Sequence, residues 1–113
     1  MPIIEFYNYE EMFEAVSQND KMIIDFYASW CGPCKKIEPL YEKLEYNNVV
    51  LAKMNISNLA DEERDLLNIR KFPTFIMTKK DINDGSIERM RYFGSNIDEL
   101  RKIIDEYCQL NSV

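Results

Sequence analysis

Residues 21–41, KMIIDFYASWCGPCKKIEPLY, decide the fold that the sequence predicts. The segment 22–28 is apolar nearly throughout and rich in β-branched and aromatic residues, which is typical of a strand buried on both faces. An apolar stripe at helical spacing then runs from just after Cys31 to about Tyr46. Pro39 lies inside this predicted helix and should bend it, because proline removes one backbone donor. A central strand leading into an amphipathic helix indicates an α/β fold.

The segments on either side continue the alternation of strands and helices. Alternation implies parallel pairing with right-handed crossovers, and the last two strands should form an antiparallel hairpin. The sequence therefore predicts three α/β/α layers, with a central mixed five-stranded sheet and about four helices. The other predicted strands are 2–6, 49–56, 73–78 and 87–93, the last pair joined by the turn-rich segment 79–86. Three other helices are predicted. The first runs from Tyr9 to near Asn19, and the second starts at a Ser57 or Asn58 cap. The third, near the C-terminus, has Leu100, Ile103, Ile104 and Tyr107 facing inward.

The length and composition predict a single globular domain, residues 1–113. Hydrophobic residues make up 46% of the chain and charged residues 30%, with three glycines and four prolines. This balance is typical of a chain that buries one core. No repeat or linker divides the sequence.

The charge balance argues against some partners. Twenty acidic residues against fourteen basic ones give a net charge of −6, which repels nucleic acid and anionic membrane surfaces. The apolar runs are far shorter than the roughly 20 residues of a membrane-spanning helix, and no basic-then-apolar leader opens the chain. Three cysteines are too few for a secreted disulfide framework and favour a reducing compartment. We therefore expect a soluble, cytoplasmic protein.

Cys31 and Cys34 form a CxxC pair that admits three interpretations. A structural zinc site needs four ligands, but the chain offers only Cys108 besides this pair, and no histidine. A structural disulfide across so short a loop removes little entropy from the unfolded chain. A redox switch needs one ionised thiol and a second thiol close enough to resolve a mixed disulfide. The spacing favours the switch, so we expect no metal and no cofactor.

The position of the pair predicts different roles for the two thiols. With Cys31 as the helix N-cap, Gly32, Pro33 and Cys34 occupy the first three helical positions. Pro33 costs little there because its missing amide would have no intrahelical partner anyway. The Cys34 amide and the helix dipole then favour a thiolate at Cys31. We expect Cys31 to be the more acidic thiol and Cys34 to be the resolving one.

Two segments together resemble a known family. DFYASWCGPCKKIEPL at 25–40 is similar to the active-site segment of thioredoxins, and KFPT at 71–74 resembles their proline loop. The resemblance implies the thioredoxin fold and a thiol-disulfide oxidoreductase that reduces protein disulfides through Cys31 and Cys34. It also implies a thioredoxin-reductase-like electron donor and a monomer. The Gly-Pro pair between the cysteines resembles the reducing members, because family oxidases and isomerases usually carry a histidine there.

The resemblance also implies roles for further residues. Asp25, inside an apolar strand, should be a buried acid with a raised pKa that takes the proton from Cys34. Lys53 matches a lysine that keeps this carboxylate from being an unpaired buried charge. Pro73 matches the family's cis proline, beside which an extended substrate pairs with the backbone. The implied substrate-binding residues are Trp30, Gly32, Pro33, Phe72, Pro73 and Gly94.

Two rival functions remain open at this point. The same fold works as an oxidant or isomerase in some relatives, and the reduction potential separates these from a reductase. Alternatively, the domain serves as a binding module in which the thiols are incidental. Cys108 lies at the edge of the last apolar stripe, and we expect it to be a buried or half-buried spectator.

Overall fold

The structure is a computed structural model that describes residues 3–109. Within that range, strands and helices alternate up to the end of β4, and a hairpin and a last helix follow. Short non-α turns lie at Ile56–Asn58 (3-10) and Asp105–Gln109 (π). The strands are β1 Ile4–Phe6, β2 Lys21–Tyr27, β3 Val50–Asn55, β4 Thr74–Lys80 and β5 Ile87–Phe93. The helices are α1 Tyr9–Gln18, α2 Gly32–Tyr41, α3 Asp61–Leu67 and α4 Ile97–Ile104.

The five strands form one mixed sheet in the order β1-β3-β2-β4-β5. β3 pairs in parallel with both β1 and β2, because α1 and α2 act as crossover connections. β4 runs antiparallel to β2, and β5 closes a hairpin against β4. The predicted mixed sheet is confirmed, with the strand that precedes the cysteine pair at its centre.

Helices pack on both faces of this sheet. Side chains alternate along β2, so Met22, Ile24 and Phe26 face one layer while Ile23 and Asp25 face the other. The three-layer prediction is confirmed, and Asp25 lies on the side of the sheet covered by α2. The first layer holds Met12 of α1 and Leu67 of α3, and the second holds Ile37 and Tyr41 of α2 with Leu100 and Ile104 of α4.

The helix after the cysteines is shorter than the apolar stripe predicted. α2 ends at Tyr41 rather than near Tyr46. Leu44 is buried, as the stripe requires, but its amide donates to the Tyr41 carbonyl, and the Lys43 amide donates to the Leu40 carbonyl. These three-residue spacings tighten the chain and end the α-helix while keeping Leu44 in the core.

The predicted cap of the third helix was wrong. Ser57 and Asn58 belong to a separate turn, in which the side chain of Asn55 accepts a hydrogen bond from the Ser57 amide. The N-cap of α3 is Ala60, whose amide donates to Glu63 Oε1 at 2.9 Å. Glu63 supplies the side-chain half of a capping box, so a non-polar cap residue is tolerated here.

The helices are short, and the longest two have ten residues each. None of the helices within residues 3–109 has the length and apolar character needed to cross a bilayer.

Candidate active site

Cys31 and Cys34 lie at the start of α2 and form a disulfide, with their Cα atoms 5.3 Å apart. Cys31 is the N-cap, and its Sγ accepts a hydrogen bond from the Cys34 amide at 3.1 Å. Both residues are buried while the disulfide is closed. The predicted N-cap position of Cys31 and the predicted amide donor are confirmed.

The chain reaches this geometry through a tight turn after β2. The Cys31 amide donates to the Ala28 carbonyl at 3.2 Å, so the turn closes directly onto the cap. Pro33 occupies the second helical position, where its missing amide breaks no intrahelical bond. Gly32 is exposed, and a Cβ built on it has no atom within 4 Å. The first turn of α2 therefore leaves open space beside Gly32.

Asp25 is a buried acid near the middle of β2, with 2% of its surface exposed. Its Oδ1 atom has no hydrogen-bond partner among residues 3–109. Burial raises the pKa of Asp25 to about 7, the half-buried Glu38 of α2 adds to the rise, and Lys53 opposes it. The predicted direction of the pKa shift is confirmed, and it leaves the carboxyl able to exchange a proton near neutral pH.

Lys53 lies beside Asp25 in register on β3, as expected of a lysine near this carboxylate, but its ammonium contacts a different carboxylate. Its Nζ atom contacts Glu42 Oε2 at 3.4 Å. Burial by itself lowers the pKa of Lys53, but Glu38, Glu42 and Glu5 together raise it above its ordinary value. Lys53 therefore stays charged among three carboxylates and stabilises ionised Asp25 only from a distance.

Sequence reasoning missed the acidic groups around this lysine. Glu5 lies on β1, which pairs with β3 along the edge away from β2, and it is in register with Lys53. Its carboxylate accepts a hydrogen bond from the Tyr27 hydroxyl. Glu38 of α2 and Glu42, the C-cap residue of this helix, are one helical turn apart, which places them on one face. That four-residue spacing was a visible signal. The pairing of Glu5 with Lys53 was not, because it depends on the register of β1 against β3.

The predicted substrate-binding residues come together from three loops. Trp30 is 72% exposed and meets the ring of Phe72 edge-on, with 5.5 Å between ring centroids. The Phe72–Pro73 peptide bond is cis, as predicted. The Pro73 carbonyl accepts a hydrogen bond from the Gly94 amide at 3.4 Å. Phe72 also packs against the apolar cluster that contains both cysteines, so these residues form one surface beside the disulfide.

Gly94 is required by the local backbone as well as by its place on this surface. Its φ angle is 141°, in the region that favours glycine. A Cβ at this position would lie 2.8 Å from the Tyr92 hydroxyl oxygen. That hydroxyl donates to Glu99 Oε1 at 2.7 Å, which restrains it. A side chain at residue 94 would therefore displace Tyr92.

With this geometry established, similarity to known proteins decides the family. The family model described as Thioredoxin matches residues 3–106. The chain belongs to the thioredoxin family. Thioredoxin 1 of Plasmodium falciparum is 35% identical over 100 residues, which cover 87% of this chain and 90% of that protein. Thioredoxin-1 of Caenorhabditis elegans is 40% identical over 91 residues, 76% of this chain and 71% of that protein. A solved Plasmodium falciparum thioredoxin superposes with a TM-score of 0.81 at 32% identity, over 94% of this chain and all of that one.

Membership of the thioredoxin family gives the CxxC geometry its chemical meaning. The chain is a protein-disulfide oxidoreductase that works by thiol-disulfide exchange through Cys31 and Cys34. Thioredoxins act on disulfide substrates and are reduced by thioredoxin reductase. The predicted fold, family and reaction class are confirmed.

Cys108 lies in the second core layer, away from this site. It is fully buried, and burial raises the pKa of its thiol, with Lys21 and Lys79 opposing the rise. The prediction of a buried residue is confirmed.

We expect a Cys108→Ser variant to reduce insulin at close to the wild-type rate, because its thiol is protonated and out of reach of solvent. Turbidity of precipitating insulin measures this rate, with Cys31→Ser as the inactive control. A large loss in a variant that still unfolds cooperatively would show that the chain has a third redox position.

Proposed function

We propose that this thioredoxin reduces disulfides in protein substrates, with Cys31 as the nucleophile. The observation that carries the proposal is the hydrogen bond from the Cys34 amide to Cys31 Sγ, because the same donor stabilises a thiolate once the disulfide is open. Cys31 Sγ attacks one sulfur of the substrate disulfide. A bond forms between Cys31 and that sulfur, the substrate S–S bond breaks, and the other substrate sulfur leaves as a thiolate that takes up a proton.

Cys34 and Asp25 complete the reaction in this proposal. The Asp25 carboxylate takes the proton of Cys34, and the Cys34 thiolate attacks Cys31 Sγ. The Cys31–Cys34 bond forms, the mixed disulfide breaks, and the second substrate sulfur leaves and takes up a proton. Two electrons have then passed from the dithiol to the substrate. The pKa of Asp25, raised by burial to about 7, supports this role, and Lys53 tunes the carboxyl through its charge.

The substrate lies across the surface beside the disulfide in this proposal. An extended segment pairs with backbone groups next to Pro73, and apolar side chains of the substrate cover Trp30 and Phe72. Gly32 and Gly94 have no side chain, so they allow close approach, and the ring of the exposed Pro33 adds apolar surface beside them. Lys71 and Phe72, the two residues before Pro73, then help to determine which substrates bind.

We propose that a thioredoxin-reductase-like electron donor keeps Cys31 and Cys34 reduced, so that the pair acts as a reductant. We expect the Cys31–Cys34 couple to have a midpoint potential more negative than about −220 mV, the oxidising end of the cytosolic glutathione range. Equilibration with glutathione buffers, followed by thiol alkylation and mass measurement, gives this potential.

A matched variant sharpens this measurement. Pro33→His places in the gap the residue that family oxidases and isomerases usually carry, and we expect it to shift the potential in the oxidising direction. A wild-type potential well above the glutathione range would assign the chain to the oxidant or isomerase class instead.

We also propose that residues 1–113 form one thioredoxin domain that acts as a cytoplasmic monomer without a metal or cofactor. The family match over residues 3–106 and the single five-stranded sheet support one domain. The charge of −6 disfavours nucleic acid and membrane surfaces as partners. Similar thioredoxins include one named as mitochondrial, so fractionation of cells is the measurement that checks the compartment.

A further inference from the structure

An apolar cavity lies on the face of the sheet opposite Asp25, and neither cysteine of the disulfide lines it. Its volume is about 260 Å³, it opens to solvent on one side, and it is lined by α1, the end of α3 and strands β2, β4 and β5. None of the residues proposed above for catalysis or substrate binding lines it. The lining residues are Tyr9, Met12, Phe13, Val16, Ile24, Phe26, Leu67, Ile76, Thr78, Ile87 and Arg89.

The cavity contains an unsatisfied polar group. Thr78 is 4% exposed, and its Oγ1 atom has no hydrogen-bond partner within residues 3–109. Thr78 follows Ile76 on the same face of β4, so its hydroxyl is on the cavity side of the sheet. Leaving a buried hydroxyl without a partner is unfavourable, and a ligand oxygen at this point would remove that cost.

The mouth of the cavity combines exposed apolar surface with a positive charge. Phe13 is 59% exposed on α1, and Ile87 is also exposed on β5. Arg89 is the cross-strand neighbour of Thr78, and it is exposed at the same edge. Arg89 forms no ion pair in the described part of the chain, whereas its neighbour Arg91 donates to the Leu67 and Asn68 carbonyls. Its guanidinium is therefore left to meet an anion, on a protein that is acidic as a whole.

We propose that this cavity binds a small amphipathic carboxylate, such as a short fatty acid. The apolar tail lies between α1 and the sheet, and the carboxylate accepts hydrogen bonds from Arg89 and from the Thr78 hydroxyl.

The size of the cavity sets the size of the ligand. A volume of 260 Å³ exceeds the roughly 150 Å³ cavity that holds benzene, and it is below the roughly 300–1,000 Å³ of sites for drug-sized molecules. A chain of several methylenes with one carboxylate fits between these limits. A folded partner is disfavoured, because the apolar surface lies inside a cavity between elements rather than on a broad flat face.

Octanoate and 1-octanol provide a matched pair of probes, because they share a chain and differ in charge. Titration of each into the ¹⁵N-labelled protein, followed by amide chemical shifts, locates and measures binding. We expect octanoate to shift amides of α1, β4 and β5, and to bind on the order of tenfold more tightly than 1-octanol, since a charge-assisted hydrogen bond to Arg89 is lost with the alcohol.

Three variants test the two polar contacts. Arg89→Gln should weaken octanoate on the order of tenfold and leave 1-octanol nearly unchanged. Thr78→Val keeps the side-chain shape, so it should weaken octanoate a few-fold while raising the urea midpoint of the free protein, because an unpartnered buried hydroxyl is removed. Arg101→Gln, at an exposed position on α4 in the opposite layer, is the charge control and should change neither affinity.

The results separate the proposal from its alternatives. Equal affinity for the two probes, or unchanged octanoate binding by Arg89→Gln, would overturn the carboxylate assignment. Shifts confined to Trp30 and the residues around the disulfide would overturn the cavity as the site. The rate of insulin reduction by Arg89→Gln is a separate readout. A change in that rate would concern the proposed reductase function and not the assignment of a ligand to this cavity.

Discussion

A Cys34→Ser variant will accumulate covalent complexes with its protein substrates, whereas a Cys31→Ser variant will trap almost none. Cys31 is the N-cap of α2 and has the Cys34 backbone amide as a donor to its sulfur, and the serine substitution retains that amide. The first exchange step therefore proceeds in Cys34→Ser. The second step fails, because no neighbouring thiol attacks the mixed disulfide. Intramolecular attack is favoured by an effective molarity of about 10⁵–10⁸ M in well-oriented systems, so its loss should lengthen the life of the complex by orders of magnitude.

Oxidised insulin provides a defined substrate for this test, and a cell extract provides the natural substrates. Non-reducing electrophoresis should show adducts of Cys34→Ser that dithiothreitol releases, and mass spectrometry should locate the bond at Cys31. The double Cys31→Ser, Cys34→Ser variant is the matched control for non-covalent association. Equal trapping by the two single variants would overturn the assignment of Cys31 as the nucleophile and Cys34 as the resolving thiol. Full cellular function of the double variant would favour the binding module.

An Asp25→Asn variant will gain stability relative to wild type as the pH rises. The difference in free energy of unfolding, variant minus wild type, will be larger at pH 8 than at pH 4 by on the order of 3 kcal/mol. Burial raises the folded pKa of Asp25 from the ordinary 3.8 to about 7. The native state therefore binds this proton more readily than the unfolded chain does. Ionised Asp25 costs no stability below pH 3.8, the cost grows between pH 3.8 and 7, and it is complete above the folded pKa.

Urea unfolding of the oxidised proteins at both pH values measures this difference. Comparing the two pH values cancels the pH-independent cost of burying the new amide. Asp20→Asn, at an exposed position, is the matched control for the loss of one carboxylate. If the stability difference between Asp25→Asn and wild type does not change between pH 4 and pH 8, Asp25 is not a buried carboxyl with a raised pKa.

The same variant should reduce disulfides on the order of 10- to 100-fold more slowly at pH 7, because Cys34 loses its proton acceptor. The rate should recover towards pH 9 as solvent base takes the proton. Single-turnover kinetics that follow release of the mixed disulfide isolate this step. A uniform loss at every pH would instead indicate a structural defect.

The sequence predicted the layers and the sheet well, because those depend on patterns that local physics enforces. A strand apolar on both faces, such as β2, has to be central, and a two-helix crossover pattern leaves few topologies. It did not predict where α2 stops, because Leu44 satisfies the apolar stripe whether the last turn is α-helical or tighter. The cap of α3 was missed because Ala60 has no capping side chain, and the start of the helix is marked instead by the bond from the Ala60 amide to the Glu63 side chain.

For the candidate site, the residues within one segment were predictable and the contacts between segments were not. The N-cap role of Cys31 follows from its distance to Gly32 and Pro33 along the chain. The choice of partner for Lys53 depends on how β1, β3 and α2 meet, since its ammonium contacts Glu42 while Glu38 and Glu5 act on it through their charges. Likewise, nothing in the local sequence around residue 94 indicates that the Tyr92 hydroxyl lies in the way of a Cβ.

The position of Trp30 has an optical consequence. It is the one tryptophan in the chain, most of its surface faces water, and its ring meets Phe72 beside the disulfide. Indole emission moves to shorter wavelength when water leaves the ring, so the ultraviolet fluorescence of this protein comes mainly from one reporter at its working surface. An unlabelled partner that covers this surface changes that signal. The protein thus carries its own spectroscopic probe of docking.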